Sequence, residues 1–179
     1  MEIRLSLALL VLLLVSGAAL SASRPHALRD PASLETAALA ELEDNASLAR
    51  GDLELTRRLA TTYLRLGQPG LVIAAVRSAP PELGRDALLT HRLSQAYEAS
   101  GRVDDALNTA QLARARCALP SASCSPATMA ALDMHAEALA MLLRWGVQEP
   151  RHDTRTALAY RLAQRTARIA SLGTPALSE

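Results

Sequence analysis

"LSQAYEASGRVDDALNTAQLA", residues 93–113, restates what "LATTYLRLGQPG", residues 59–70, has already said one period earlier. Shifting residues 51–117 against themselves by 34 positions brings seven identities into register: Asp52/Asp86, Leu55/Leu89, Arg58/Arg92, Leu59/Leu93, Tyr63/Tyr97, Gly67/Gly101 and Ala79/Ala113. Each pair has a physical role. The aspartates stand where an N-cap carboxylate satisfies free backbone N–H groups at a helix start. Leu55, Leu59 and Tyr63 then recur every fourth residue, as do Leu89, Leu93 and Tyr97, and this spacing draws one apolar helix face. Gly67 and Gly101 follow the last apolar turn, where a left-handed residue ends a helix. A second helix is expected after each glycine, opened by Pro69 in one copy and by Asp104-Asp105 in the other. Ala106, Ala110 and Ala113 give that second helix a thin face that allows close approach.

Composition agrees with an all-α fold. The chain has 179 residues, half of them apolar, with no Phe and a single Trp. Ala, Leu and Arg dominate, and all three favour helix. The formal net charge is +1, so no overall field draws the chain to nucleic acid or to an anionic membrane. All 19 Lys+Arg residues are Arg, a bias that points to a GC-rich genome.

A 34-residue helix–turn–helix carrying Leu, a small residue, Tyr, Gly and a later Ala resembles the tetratricopeptide repeat. Residues 93–113 are the better copy. In the earlier copy Pro69 and Val72 stand where that family usually has an aromatic or aliphatic residue and a closely packed Ala. Both copies lack the early aromatic of the first helix, at Leu55-Thr56 and Leu89-Thr90. The flanks extend the array. A helix is expected over residues 31–50, another from Ser125-Pro126 to Gly146, and a last one over residues 153–171. If Gly146 matches Gly101, the segment holding the cysteines is an insertion of eleven residues between repeats. The expected fold is therefore a short α-solenoid of about seven helices over residues 31–173, with a compact helical bundle as the rival architecture.

The two ends read differently. Arg4 precedes the apolar run "LSLALLVLLLVSGAAL", which closes on small residues, the order of a secretory signal. Residues 1–23 are thus expected to be a signal peptide, followed by a linker at 24–30; a tail occupies 174–179. Left uncut, residues 5–22 are long enough to anchor the chain in a bilayer. Export makes a disulfide the expected state of Cys117 and Cys124, which bracket "ALPSAS". Metal binding is not expected, because His26, His91, His135 and His152 are scattered without ligand spacing.

The resemblance also implies a function. In tetratricopeptide proteins the first helix of each pair lines a concave groove that holds a peptide or helix of another protein. The groove-facing candidates are Glu54, Arg57, Thr61 and Arg65 in the first clear repeat, and Leu88, His91, Gln95 and Glu98 in the second. In the third they are Asp133, Ala140 and Arg144. The Lys-and-Asn clamp with which some family members grip a terminal carboxylate is missing, which argues against a chaperone-tail binder. Catalysis is not expected. The chain has no Gly-x-Ser-x-Gly, no His-Glu-x-x-His and no Gly-rich phosphate loop. Asp133, His135 and Glu137 do not share one side of a helix, because His135 is two residues from each of the carboxylates. Nucleic-acid binding lacks a basic stripe with stacking aromatics. Asn45-Ala46-Ser47 fits a glycosylation acceptor but falls within an expected helix. No cofactor is implied. The expectation is a protein–protein adaptor or assembly factor in a bacterial cell envelope. A membrane-anchored structural subunit is the alternative, and self-association through the repeats is a third possibility.

Overall fold

The computed structural model describes residues 31–120 and 124–172. The expected signal peptide at 1–23, the linker at 24–30 and the tail at 174–179 lie outside them. Among the described residues there are seven α-helices and no strand. They are α1 (Pro31–Leu48), α2 (Leu53–Arg65), α3 (Pro69–Ser78), α4 (Ala87–Ala99), α5 (Val103–Cys117), α6 (Pro126–Arg144) and α7 (Thr154–Leu172). No helix among the described residues is long and apolar enough to cross a membrane. The chain divides into two units, residues 1–40 and 41–179. The described part of the first is the helical segment 31–40; the second holds everything discussed below.

Three helical hairpins, α2–α3, α4–α5 and α6–α7, follow one another, each helix from α3 onward stacking on its predecessor. The expected helical repeat architecture is what forms, and the caps explain why. Asp52 accepts from Leu55 N–H at 2.9 Å, Asp86 from Leu89 N–H at 2.7 Å, and Ser125 from Thr128 N–H at 3.1 Å. At the other ends Gly67, Gly101 and Gly146 have φ of 69°, 76° and 66°. One pattern of backbone bonds closes all three. Gln68, Arg102 and Val147 N–H donate to Tyr63, Tyr97 and Leu142 C=O at 2.9, 2.9 and 3.0 Å, and each glycine N–H donates three residues back. This is the paired bonding that a left-handed C′ residue permits. Gly146 therefore does match Gly101, and the cysteine segment is an insertion in the register.

The thin faces also form as expected. Ala106, Ala110 and Ala113 are completely buried, as is Val72 at the place of Ala106. The main core joins Tyr97, Val103, Ala106 and Ala110 to Ala138, Leu139 and Leu142 of α6 and to Ala159 and Ala163 of α7. A second cluster forms around Ala87, Ala113, Cys117 and Leu132. Cys117 and Cys124 are joined in a disulfide with a Cα–Cα distance of 5.5 Å, which ties the end of α5 to the start of α6. Closing this short loop contributes about 2–3 kcal/mol. One element escapes the sequence reading: a 3₁₀ turn, Leu83–Arg85, sits between α3 and α4. Pro80-Pro81 stops α3, Leu83 N–H bonds back to Pro80 C=O at 3.0 Å, and Leu83 is buried. Residues 41–48 of α1 are joined to α2 by the Tyr63 hydroxyl, which donates to Glu43 at 2.7 Å.

Candidate partner-binding surface

The first helices α2 and α4 carry eight of the candidate groove residues, and the structure sorts these by what each side chain already holds. Glu54 is largely exposed and lies 3.8 Å from Arg57. Thr61 is exposed, its hydroxyl turned back to Arg57 C=O at 2.8 Å. Arg65 is exposed at the end of α2, and Leu88 is 37% exposed at the start of α4. These four present themselves to solvent.

Arg57 is committed elsewhere. Its Nε–H donates to Asp86 Oδ1 at 3.0 Å and its Nη2 to Asp86 Oδ2, a two-pronged bond across the junction between repeats. Asp86 thus serves twice, as N-cap of α4 and as anchor for α2. Burial pushes its carboxyl up, but the Arg57 bond and the Leu89 N–H outweigh this and hold it below the usual carboxylate range. The same bond raises the Arg57 guanidinium further. Planar pairing of this kind fixes orientation as well as distance.

His91 and Glu98 meet through a residue that sequence reasoning had set aside. His91 Nε2 lies 2.9 Å from His135 Nδ1, His135 Nε2 lies 3.1 Å from Glu98 Oε2, and the Tyr160 hydroxyl donates to both Glu98 oxygens at 2.8 and 2.7 Å. This chain of four side chains crosses from α4 to α6, back to α4 and on to α7. His135 is 3% exposed. With Glu98 ionised and both rings neutral, one set of protons satisfies every link. His135 Nε2–H donates to Glu98, so its Nδ1 is a bare acceptor, and His91 Nε2–H must be the donor to it. Burial, then His135 and Arg92, pull His91 down to about 4. Burial, with Glu98 beside it, pushes the Tyr160 phenol far above its ordinary value. The links run in series, so they do not converge as the ligands of a metal would.

The remaining candidates separate. Gln95 accepts from Arg92 at 2.9 Å. Asp133 faces α5, where it pairs with Arg114, beside a groove of about 400 Å³ lined by Gln111, Ala115 and Met129. Arg144 is exposed at the end of α6, and Ala140 is half-buried. The third repeat therefore supplies His135 rather than Asp133 to the region of His91 and Glu98. A signal for it existed. Counting back from Gly146 and Gly101, His135 occupies the position of Thr90, which is buried, and of Thr56.

Fold and surface together define an all-α protein of stacked helical hairpins, tied from repeat to repeat by polar side chains. No family model, no curated protein and no solved structure matches the chain.

Proposed function

We propose that the chain is an exported, non-catalytic member of the tetratricopeptide class that works as an adaptor or assembly factor in a bacterial cell envelope. It holds a peptide or helix of another protein against its first helices. The observation that carries this reading is the division of labour along α2 and α4. Arg57, His91 and Glu98 are used to hold helices in place, while Glu54, Thr61, Arg65 and Leu88 stay exposed beside them. A surface with rigid backing and exposed polar and apolar tips binds with little ordering cost. The Cys117–Cys124 disulfide fits an oxidising compartment. A structural subunit anchored through residues 5–22 is the second reading, favoured by the length of that apolar run. The mature N-terminus separates the two: a cut near residues 21–23 supports the adaptor, and an intact Met1 supports the anchor.

Affinity capture from envelope extract tests the surface. The purified chain is the first bait and a Glu54→Arg, Leu88→Ala version the second. The proposal expects a partner retained by the first and lost by the second. A partner held equally by both would remove this surface from the account.

A further inference from the structure

We propose that the chain associates head to tail with a second copy of itself, the basic outer face of α7 in one copy seating on the acidic end of α1 and the apolar groove beside it in the next. This goes beyond the adaptor reading and does not depend on it.

The first observation is charge. Near-neutral charge overall conceals two opposed patches. Residues 41–48 of α1 carry Glu41, Glu43 and Asp44 and no Arg, whereas α7 carries Arg161, Arg165 and Arg168 and no acid, its Arg155 being paired with Asp153. Glu41 and Asp44 are exposed at one end, and Arg161 and Arg165 at the other. The second observation is apolar surface at both patches. Beside residues 41–48 lies a groove of about 830 Å³ whose apolar lining is Leu59, Tyr63, Leu71, Ala75 and Pro80, with Leu71 44% exposed, and whose charged lining is Glu43 and Arg50. On α7, Leu158 is 42% exposed and shares a helix face with Arg161 and Arg165, three and seven residues on. The third is the stacking rule of the chain itself. The second helix of each hairpin lies on the first helix of the next, α3 on α4 and α5 on α6. Among the described residues α7 has no successor, and α2 has no such closely packed predecessor. A second copy supplies each with what it lacks. Its contact is heterologous, so the product is a ring or an open filament rather than a two-fold dimer.

Sedimentation of the purified full chain over a range of concentrations tests this. The mass rises with concentration at low salt and falls towards that of one chain at about 0.5 M salt, where exposed charges are screened within a few ångströms. Arg161→Glu with Arg165→Glu, or Glu41→Arg with Asp44→Arg, weakens association by about tenfold or more, because attraction becomes repulsion at a desolvated contact. An equimolar mixture of the two charge-reversed chains restores it, since acid again meets base at every junction. Recovery in the mixture also shows that both variants fold. A single-chain mass at every concentration, association that neither reversal alters, or a mixture that fails to recover would each overturn the proposal.

Discussion

At the His91–His135 contact one ring must give a proton and the other must take it, and the group at the far end decides which. Glu98 accepts from His135 and Tyr160 together, leaving Nδ1 of His135 to accept from His91. Adding a proton to His91 places a charge in a largely buried position, with His135 and then Arg92 opposing it, which is why its value falls to about 4. The consequence for stability has a definite sign. An unfolded His takes up its proton near pH 6.5, whereas the folded His91 resists until about 4, so protons favour the unfolded chain between those values. The wild type should therefore lose roughly 2 kcal/mol more than His91→Gln between pH 7 and pH 4. Gln can place an N–H where His91 Nε2 meets His135 but cannot be charged. Urea denaturation at several pH values checks this, and parallel curves for the two proteins would contradict it. Asp86 acts in a different window, because its lowered carboxyl adds stability above the usual carboxylate range that is lost only in stronger acid.

Within and between helices, the parts that carry their own instructions were the legible ones. Asp52, Asp86, Gly67 and Gly101 act within a few residues of themselves, so their chemistry reads directly from the chain. Contacts between repeats carry no such local mark. Arg57 reads as an exposed groove residue until Asp86, 29 positions away, is placed against it. His135 was hidden by the insertion, which breaks the period, and by a polar side chain standing where the helix face is buried. Two outcomes follow from these elements. Arg57→Ala should cost about 2 kcal/mol, because it strips a part-buried carboxylate of its charged partner, while Glu54→Ala should cost under about 0.5 kcal/mol. Among the hairpin glycines, Gly101→Ala should be the most damaging. All three share the left-handed strain of about 1–2 kcal/mol, but only at Gly101 would a Cβ lie 3.1 Å from a backbone oxygen, that of Gln148. Thermal melts of the three variants rank them, and a larger loss at Gly67 or Gly146 would contradict the packing described.

At the scale of the whole second unit, α2 to α7 form successive hairpins in which buried alanine faces allow close approach and polar pairs such as Arg57–Asp86 bridge the repeats. In the proposed function the exposed tips of α2 and α4 are the surface that meets a partner. A photo-crosslinking side chain placed in the cell at Glu54 and at Leu88, with a third at Leu112 on α5 as reference, tests the central claim most directly. Leu112 is 46% exposed, so all three positions are open to solvent. The account predicts that positions 54 and 88 capture the same protein, distinct from a second copy of this chain, and that position 112 does not. Capture at 112 alone, or at none of the three from a folded chain, would contradict it.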